Sequence, residues 1–557
     1  MVSLARRMPW LVQKYGGTSL GKLLDNICGS IISRYAKDHR LVVVCSALSG
    51  SVKASGTTSL LLECIVLVEL GCDAQTRLVQ TMNAVKDFHL NVLDSIRGLR
   101  QQRHLGLYDE TRSAIAKECE RLERFLLAAQ VVGELSPRSR DRVISLGEKL
   151  ASIIVAACLI SQGIVAKAVS LENIVASAFG PSIHDQITSM ERLGPKIYHI
   201  LAAEIAVRIR ECGAAIPIVT GFFGIMPDSL LQRVGRGYSD MCAAMCAVAV
   251  NAIELQIWKE VDGIFTADPR KVSSARLLTT VTAEEAAELT YYGSEVIHPL
   301  TMDQIRDANI PLRLKNVFKA YGDGTIIHPV ASLTMSAMPM STDGNERSQS
   351  ISPLSSFILQ NESRGVQQQR RIPTAVTVKD NIILANVICN RNTKSQGFLT
   401  RVFDRLERSK VLVDLVTTSE RHASLAAQAP ADLSAVTRLR EELESLGQVG
   451  FIANMSIVTV VGHKMRNMVG VSGEILGSLA SSQINVYLIS QGASELSISL
   501  VVCANDAMTA LNAIHRDVLK IPSQSEQDNR FMSREPDWGK NDRRADTDEF
   551  ILGPWLF

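Results

Sequence analysis

The sequence GRGYSD at residues 235–240, followed after an Ala-rich stretch by WKEVDGIFTADPR at residues 258–270, is the most specific pattern in this chain. Its glycines let the backbone approach an anionic group closely, and Arg236 and Arg270 supply fixed positive charge. Asp240 adds a carboxylate close by. Phosphoryl transfer depends on positioning and on charge stabilisation, so this combination indicates a phosphate-handling site.

Short apolar runs on both sides of this pattern alternate with helical patterns. Strands of a parallel sheet read as such runs because helices cover both of its faces. The chain therefore predicts an α/β fold with helices on both faces of a sheet, interrupted by a mostly helical insertion at about residues 60–130. The predicted strands are residues 11–15, 41–45, 165–169, 216–220, 254–258 and 310–314.

The composition argues against several functional classes. Lys and Arg number 59 against 57 Asp and Glu, and the net charge of +2 gives no general attraction to nucleic acid or to an anionic membrane. The 11 cysteines contain no Cys-x-x-Cys pair, which is typical of a reducing compartment rather than of disulfides or zinc. No apolar run approaches the roughly 20 residues that span a bilayer. We therefore expect a cytoplasmic enzyme that binds neither nucleic acid nor membrane.

Two polar segments and an internal repeat divide the chain. Residues 331–370 and 523–557 lack hydrophobic periodicity, so we expect a flexible linker and a mostly disordered tail. Between them, the segment that begins at Gly397 aligns with the one that begins at Gly470, an offset of 73 residues. Each copy predicts a βαββαβ unit. The predicted division is residues 1–330, 331–370, 371–445, 446–522 and 523–557.

A glycine-rich turn near the N-terminus predicts the second part of the site. Lys14 ends the first predicted strand, and Gly16-Gly17-Thr18-Ser19 leads into a helix. Backbone N–H groups at such a positive helix end can bind phosphate oxygens. The run from Gly16 through Gly21 to Lys22 is not a P-loop, because Leu23 stands where Ser or Thr would bind Mg²⁺. For Lys14, the alternative is a surface lysine whose stem covers apolar neighbours.

This chain resembles the amino-acid kinase superfamily, and within it the fungal-type aspartokinases, in Lys14, in the turn at 16–19 and in the stretches at 235–240 and 258–270. The resemblance implies a three-layer α/β/α amino-acid kinase domain at residues 1–330, followed by two α+β (βαββαβ) ACT domains. The implied reaction converts ATP and L-aspartate into 4-phospho-L-aspartate and ADP. That reaction would be the first step of the aspartate-derived pathway to threonine, methionine and isoleucine.

The resemblance also implies partners and regulation. ATP and L-aspartate would be the substrates, with Mg²⁺ carried by ATP and no separate metal site on the protein. ACT domains bind small amino acids, so we expect feedback inhibition through the repeat, with threonine as the expected effector. ACT modules usually complete their sheets with partners, which implies a homo-oligomer, a dimer or larger.

The resemblance assigns the nucleotide to nine residues. Lys14 would stabilise the phosphoryl group in transfer, and Arg270 would lie near the β- and γ-phosphates. Lys259 and Glu260 stand where bacterial relatives have Thr and Asp, and Phe265 replaces a Tyr. Glu295 stands where those relatives have a phosphate-contacting lysine, so it is left out of the site. The implied nucleotide-binding set is Lys14, Gly16, Gly17, Thr18, Ser19, Lys259, Glu260, Phe265 and Arg270.

The residues implied to bind aspartate come from several segments. Arg236 would clamp a substrate carboxylate in a bidentate fork, and Glu148 would receive the ammonium group. Asp240 would orient Lys14. Residues 145–148 are expected to begin a helix, so a first-turn helix charge at Glu148 and helix capping by Thr58 are the alternatives. The implied sets are catalytic Lys14, Asp240 and Arg236, and substrate-binding Thr58, Glu148, Arg236 and Ser239.

The repeat resembles the effector pocket of the same family at residues 395–399 and 413–420. A free amino acid would place its carboxylate at the helix N-terminus and its ammonium group near Asp414. Residues 421–424 depart from the hydrophobic strand usual at this point, and a purely structural repeat is the alternative. The implied effector-binding set is Ser395, Gly397, Phe398, Leu399, Asp414, Ser419, Asn485 and Gln491.

Two other functions stay open. A kinase of another amino-acid carboxylate would keep the fold. The repeat, the Ser-x-Gly-Glu motif at residues 145–148 and the GRGYSD motif argue against this alternative. A catalytically inactive amino-acid sensor would use only the repeat. Lys14, Asp240 and Arg270 argue against a sensor, because an inactive enzyme has no reason to keep three charged groups desolvated together. His298 is expected to be a hydrogen-bonded structural residue, since the carboxylate of aspartate is already ionised at pH 7 and needs no base.

Overall fold

The computed structural model describes residues 8–50, 56–235, 237–293, 297–329, 373–389, 397–409, 411–430, 433–463, 465–491 and 496–521. The strands in this part of the chain are β1 Trp10–Tyr15, β2 Arg40–Cys45, β3 Ala166–Val169, β4 Ile216–Thr220, β5 Glu254–Lys259, β6 Thr280–Thr282, β7 Leu312–Asn316, β8 Thr325–His328, β9 Ala375–Cys389, β10 Val413–Thr418, β11 His422–Gln428, β12 Gly447–Val461, β13 Leu488–Gln491 and β14 Ser497–Cys503.

The α-helices of the same residues are α1 Gly17–Asn26, α2 Ser33–Tyr35, α3 Thr57–Glu69, α4 Gln75–Ser95, α5 Leu105–Val132, α6 Pro137–Ser161, α7 Ile174–Phe179, α8 Ile183–Leu193, α9 Ile197–Arg210, α10 Leu230–Arg233, α11 Tyr238–Val250, α12 Ala283–Tyr292, α13 Pro299–Asp307, α14 Phe398–Arg408, α15 Leu433–Glu444, α16 Val471–Ser481 and α17 Ala507–Asp517.

The first sheet has eight strands in the order β3-β4-β2-β1-β5-β7-β8-β6. The six strands from β3 to β7 in this order are parallel, and β8 runs antiparallel to β7. Val12 of β1 belongs to the core that contains α9 and α11, whereas Leu11 belongs to the core that contains α1 and α3 to α6. Helices therefore cover both faces, as a buried parallel sheet requires. All six predicted strands are present, and the mixed α/β prediction is confirmed.

The predicted helical insertion is present as α3, α4 and α5, which pack on one another and on α6. Helix α6 is long and apolar enough to cross a membrane by composition alone. However, 83% of its apolar window is buried inside the protein, which is typical of a core helix.

The carboxyl ends of β1, β2 and β5 meet at one edge of the first sheet. Lys14 lies level with Val44 of β2 and with Ile257 of β5. Ligands of α/β sheets bind at this edge, where the loops after the strands converge. The topology therefore brings the turn at 16–19, the loop after β2 and the stretch after β5 together.

The second sheet has six antiparallel strands in the order β10-β11-β9-β12-β14-β13. Strands β9 and β12 each have 15 residues, which span roughly 50 Å, and they pair with each other along their length. Helices α14 and α15 pack on the C-terminal half of β9, whereas α16 and α17 pack on its N-terminal half. The two long strands are therefore shared by two modules.

Each module has the βαββαβ elements that the repeat predicts. The first module consists of residues 382–389 of β9, α14, β10, β11, α15 and residues 447–452 of β12. The second module consists of residues 455–461 of β12, α16, β13, β14, α17 and residues 375–379 of β9. Helices α14 and α16 start at equivalent positions of the repeat, each after a glycine with positive φ, which is +80° at Gly397 and +89° at Gly470.

The predicted boundary between residues 445 and 446 needs correction, because the modules are interleaved rather than consecutive. Residues 375–379 supply the fourth strand of the second module, and residues 447–452 supply the fourth strand of the first. The physical reason is strand length, since 15 residues are enough for two modules side by side. The other predicted boundaries stay predictions, because the predicted linker at 331–370 and tail at 523–557 lie outside the described residues.

Helix α12 of the first sheet's layer packs against the second sheet. Ser497 Oγ donates to Glu288 Oε2 at 2.8 Å, and Thr374 Oγ1 donates to Glu285 Oε1 at 2.5 Å. Tyr292, at the end of α12, shares an apolar cluster with residues of β9, β10 and β13. The two sheets are therefore joined by both polar and apolar contacts.

The hairpin between β7 and β8 depends on Gly324. A Cβ atom there would lie 1.8 Å from the carbonyl oxygen of Leu314, and its φ is +68°. We expect Gly324→Ala to destabilise the protein by about 1 kcal/mol for the positive φ and by a further 1–3 kcal/mol for the clash.

Thermal unfolding followed by circular dichroism measures this effect. Gly163→Ala is the matched control, because φ is +82° at Gly163 but no atom lies within 4 Å of its Cβ position. Equal shifts of the unfolding midpoint in the two variants would show that the backbone contact at Leu314 carries no cost.

Candidate active site

A cavity of about 630 Å³ lies at the carboxyl-end edge of the first sheet. Its walls come from the β1–α1 turn, from the stretch after β5 and from the start of β9. All nine residues predicted to bind the nucleotide line it, namely Lys14, Gly16, Gly17, Thr18, Ser19, Lys259, Glu260, Phe265 and Arg270.

Lys14 and Asp240 form a buried ion pair beside this cavity. Lys14 Nζ lies 2.6 Å from Asp240 Oδ1, and the two side chains are 8% and 6% exposed. Lys259 Nζ lies 3.8 Å from the other carboxylate oxygen. Burial opposes ionisation of Asp240, but the charges of Lys14 and Lys259 hold its pKa below the ordinary value. The burial of Lys14 excludes the alternative of a solvated surface lysine.

The glycine turn is shaped by close backbone contact with the loop after β2. A Cβ atom on Gly17 would lie 1.8 Å from the carbonyl oxygen of Ala47, and one on Gly21 would lie 2.2 Å from that of Ser49. Ser49 N–H donates to the carbonyl of Gly17 at 3.1 Å. Helix α1 begins at Gly17, so its first N–H groups lie at the cavity wall and are suited to an anion.

Glu148 is buried near the same edge. Tyr238 Oη donates to Glu148 Oε1 at 2.5 Å, and the backbone N–H of Ala47 donates to the carboxylate. Among the described residues, Oε2 has no hydrogen-bond partner. Burial raises the pKa of Glu148 to about 7, although the bonds from Tyr238 and Ala47 and the charge of Lys14 act to lower it. A buried carboxylate with one open oxygen can receive a cationic group of a ligand.

The expectation that residues 145–148 begin a helix is wrong. Helix α6 begins at Pro137, so Glu148 lies well inside it and is not a first-turn charge. The helix reaches the site because Gly147 is small: a Cβ atom there would lie 2.7 Å from that of Ala47 and 3.2 Å from Thr57 Cγ2. This close packing brings Glu148 to the loop after β2.

The two hydroxyl residues of the predicted substrate set lie near this loop. Ser239 Oγ lies 2.9 Å from Ser46 Oγ, at the start of the loop. Thr58 is half-buried in the first turn of α3, next to Thr57, whose N–H donates to the carbonyl of Leu48 at 3.1 Å. The structure thus brings three predicted residues, Thr58, Glu148 and Ser239, to the edge at which the loop after β2 lies.

Arg270 lies at the mouth of the cavity. Its side chain is 81% exposed, and its guanidinium donates to both carboxylate oxygens of Asp268, at 3.0 and 2.8 Å. Hydrogen bonds from Arg270 hold the pKa of Asp268 below its ordinary value. Phe265 is half-buried and Glu260 is exposed. These side chains remain accessible to a ligand in the cavity.

Arg236 lies outside the described residues, and His298 contacts Val234 and Gly237. His298 Nε2 donates to the carbonyl of Val234 at 2.9 Å, and Nδ1 accepts from the N–H of Leu300 at 3.2 Å. The ring also limits space at Gly237, where a Cβ atom would lie 3.1 Å from His298 Cβ. His298 is therefore a hydrogen-bonded structural residue, as predicted.

The sequence analysis missed two buried residues that position the site. Tyr238 orients Glu148, and the only signal for it was its place in GRGYSD. Asp141 accepts hydrogen bonds from Ser229 Oγ at 2.7 Å and from the N–H groups of Met226 and Leu230 at 3.1 and 2.7 Å. It thereby holds the loop between β4 and α10, and nothing in the sequence pattern around it indicates this role.

In the second sheet, Asp414 is already paired. Lys379 Nζ of β9 donates to Asp414 Oδ1 at 2.5 Å, and the Asp414 side chain is 2% exposed. Lys379 Nζ also lies 5.0 Å from the ring centre of Tyr291, at the end of α12. Burial, followed by the charge of Asp414, raises the pKa of Tyr291. A protein ammonium group thus occupies the position expected for that of an effector.

The remaining predicted effector residues of the first module differ in their exposure. Phe398 is buried in the apolar cluster of that module, so its side chain cannot contact an effector. Leu399 is half-buried and Gly397 precedes α14. Ser419 is exposed in the turn between β10 and β11. Ser395 lies outside the described residues.

The predicted effector residues of the second module lie just before β13 and at its end. Asn485 is exposed, and Gln491 Oε1 accepts from Ser472 Oγ at 2.9 Å. Thr417 Oγ1 of β10 lies 3.5 Å from the carbonyl oxygen of Ile489 in β13. The two strands at opposite ends of the second sheet therefore approach each other.

Comparison with known proteins is consistent with this arrangement. Residues 9–316 match the Amino acid kinase family, and residues 458–518 match an ACT domain family. An aspartokinase of Schizosaccharomyces pombe is 40% identical over 93% of this chain and 95% of its own length. An aspartokinase of Saccharomyces cerevisiae is 42% identical over 92% of this chain and 93% of its own length.

Solved structures show the same fold. Aspartokinase III of Escherichia coli, in complex with aspartate and ADP in the R-state, superposes with a TM-score of 0.64 at 24% identity, over 91% of this chain and 99% of that one. Its T-state complex with lysine and aspartate gives a TM-score of 0.66 at 23% identity, with the same coverage. The family matches and the fungal relatives confirm the predicted resemblance. The chain belongs to the aspartokinase family of amino acid kinases, which are phosphotransferases.

Proposed function

We propose that this chain transfers the γ-phosphoryl group of ATP to the side-chain carboxylate of L-aspartate, giving 4-phospho-L-aspartate and ADP, at the edge formed by β1, β2 and β5. The observation that carries the proposal is the buried Lys14–Asp240 pair beside a cavity lined by the nine predicted nucleotide residues. The reaction would begin the aspartate-derived route to threonine, methionine and isoleucine, and we place it in the cytoplasm.

Charge stabilisation would come from the cavity wall. Asp240 holds Lys14 Nζ in one position, so that Lys14 can stabilise the phosphoryl group as it moves between oxygens. The N–H groups at the start of α1 would bind phosphate oxygens. Arg270 would leave Asp268 or share it when the β- and γ-phosphates arrive, because it is exposed at the cavity mouth.

Substrate orientation would come from the residues around Glu148. Its open oxygen would receive the ammonium group of aspartate, while Arg236 would bind the α-carboxylate. Thr58 and Ser239 would hold the substrate in line with the phosphates. A general base is not needed, because the attacking carboxylate is ionised at neutral pH.

The residues present fit a Mg²⁺ ion that arrives with ATP. Among the described residues, no three His, Cys, Asp or Glu side chains are grouped as a metal site. The carboxylate of Asp240 is engaged by two lysines and that of Asp268 by Arg270, which leaves Glu260 as a carboxylate that could help to hold the ion. Mg²⁺ in nucleotide sites is commonly held by the phosphates and one or two carboxylates, and it would neutralise phosphate charge.

Feedback inhibition would act through the two modules, with threonine as the effector. The N-terminal ends of α14 and α16, each preceded by a glycine, are suited to an amino-acid carboxylate. An effector ammonium at Asp414 would have to displace Lys379 or share the carboxylate with it. We also propose a homo-oligomer, a dimer or larger, assembled through these modules.

The reaction is tested by aspartate-dependent ADP release from Mg·ATP, with the acyl phosphate trapped as its hydroxamate. Lys14→Met should lower kcat by about 10²–10³, because one charge-stabilising group is lost. Lys22→Met, an exposed lysine of α1, is the matched control and should keep full activity. Hydroxamate formation at the same rate in Lys14→Met and in the unchanged protein would overturn the proposed role of the pair.

The pH dependence of aspartate binding follows from Glu148. Burial raises the pKa of its carboxyl group to about 7 from an ordinary value of 4.5, so the group is protonated below about pH 7 and cannot pair with an ammonium group. We expect KM for aspartate to be constant above pH 7 and to rise by about tenfold per pH unit below it.

Tyr238→Phe provides a second test of the assignment of Glu148. The hydrogen bond from Tyr238 lowers the pKa of Glu148, so its removal should move the break in KM to higher pH. Tyr198→Phe, at another buried tyrosine of the same core, should leave the break in place. A KM for aspartate that does not change between pH 6 and 8 would contradict the assignment of Glu148.

Effector binding is tested at Lys379. Lys379→Met removes the ammonium group that occupies Asp414, so the threonine concentration for half-inhibition should fall by about tenfold. Asp414→Asn should raise it. Arg408→Met, which breaks an exposed ion pair with Asp404 in the same module, is the control and should change nothing. Unchanged inhibition in both Lys379→Met and Asp414→Asn would place the effector elsewhere.

A further inference from the structure

We infer that the second module contributes to nucleotide binding, because it holds the hairpin of residues 264–278 in position. His515 is the positioning residue. The inference rests on the proposed nucleotide site, since the hairpin carries Phe265 and Arg270. It goes beyond that site in assigning a role in nucleotide binding to a residue of α17, far along the chain from the first sheet.

The hairpin is a defined structural unit. Thr266 N–H donates to the carbonyl of Arg276 at 2.9 Å, and Leu278 N–H donates to the carbonyl of Ile264 at 2.8 Å. Phe265 and Leu277 form an antiparallel bridge between the two arms. Arg270 lies at the tip, so its position depends on what the tip contacts.

The tip is packed in the core of the second module. Ala267 and Val272 are 4% and 2% exposed, and they share an apolar cluster with residues of β9, α16, β14 and α17. Ala275 packs against the same cluster. The tip of the hairpin therefore buries its apolar side in the second module, whereas Ile264 and Leu278 at its base pack in a core of the first sheet.

Polar contacts hold the hairpin in register with β9. Val376 N–H donates to the carbonyl of Thr266 at 2.8 Å, and Lys271 Nζ lies 2.8 Å from Asp380 Oδ2. Residues 376–378 of β9 and Leu511 of α17 also line the nucleotide cavity. The second module thus forms one wall of the cavity and also supports the hairpin.

His515 is the buried polar residue that joins α17 to both arms. Its Nε2 lies 2.9 Å from Thr266 Oγ1, and its Nδ1 lies 3.4 Å from Ser274 Oγ. Thr266 Oγ1 also accepts from the N–H of Arg276 at 2.9 Å, and its own proton can be donated to Nε2. With Nε2 as the acceptor, the ring proton lies on Nδ1, which can donate to Ser274 Oγ. His515 is 1% exposed, and burial and the charge of Arg276 lower its pKa, in agreement with this neutral ring.

The consequence is specific to the nucleotide. Loss of the bond to Thr266 would free the hairpin, and with it Phe265 and Arg270, without touching Glu148 or the loop after β2. The affinity for ATP should therefore fall, while binding of aspartate should stay the same. A general loss of folding would lower both.

The test compares steady-state kinetics of the full chain with and without His515. His515→Ala should raise KM for ATP by about tenfold, with KM for aspartate unchanged and kcat at saturating ATP within about twofold. His515→Gln should restore most of the affinity, because its amide can accept from Thr266 and donate to Ser274. Asn512→Ala, at an exposed residue of α17 whose side chain donates to the carbonyl of Met508 in the same helix, is the control.

Thr266→Val supplies a second variant that keeps the shape of the hairpin. It should raise KM for ATP like His515→Ala, and the double variant should be no worse than either single one, since both remove the same bond. Hydrogen exchange of the amides of residues 264–278 should accelerate in both variants. Exchange in α6 and β2 should stay unchanged.

Arg270→Ala separates the failure of this inference from the failure of the proposed site. If Arg270→Ala raises KM for ATP but His515→Ala and Thr266→Val do not, the positioning role is wrong and the nucleotide site stands. If Arg270→Ala leaves KM for ATP unchanged, the nucleotide site itself is wrong and the inference falls with it. A rise in KM for both substrates in His515→Ala would show a merely structural role.

Discussion

The buried ion pair between Lys14 and Asp240 is the constraint on which the rest of the site depends. Taking two charges out of water is costly, and a pair of apolar residues would often stabilise the fold as well or better. The pair is held where the end of β1 meets the first turn of α11, and Lys259 adds a second positive charge to the same carboxylate. This concentration of charge, next to a cavity with a helix N-terminus in its wall, is what a phosphoryl group requires.

The two long strands of the second sheet connect the two modules to the first sheet. Because β9 starts beside the nucleotide cavity and ends in the first module, a single strand runs from the cavity to the module that contains Asp414. Lys379, in the N-terminal half of this strand, contacts both Asp414 and the ring of Tyr291. Helix α12, which ends at Tyr292, packs on the same sheet. The packing of the modules is therefore connected to the cavity through β9 and α12.

Much of the fold could be predicted because it depends on local patterns. The six apolar strands, the helical insertion and the 73-residue repeat are all present. The strands could be predicted because a strand that is buried on both faces of a sheet has a continuous apolar sequence. The interleaving of the modules could not be predicted, because it depends on which partner each half of β9 meets. The prediction that Glu148 lies at the start of a helix was wrong for a similar reason. The motif around Glu148 is local, whereas α6 begins at Pro137, outside that motif.

The sequence by itself determined the family and the reaction type, through the resemblance of its motifs to those of aspartokinases, and nine of the residues that line the cavity, because these residues lie in short local motifs. Tertiary structure alone decided the environment of those residues. It buried Glu148 against Tyr238, placed Lys379 on Asp414 and set His515 against the hairpin of residues 264–278. Each of these contacts joins residues far apart in the chain, so burial and pairing, which set pKa values and positions, exist only once the elements pack.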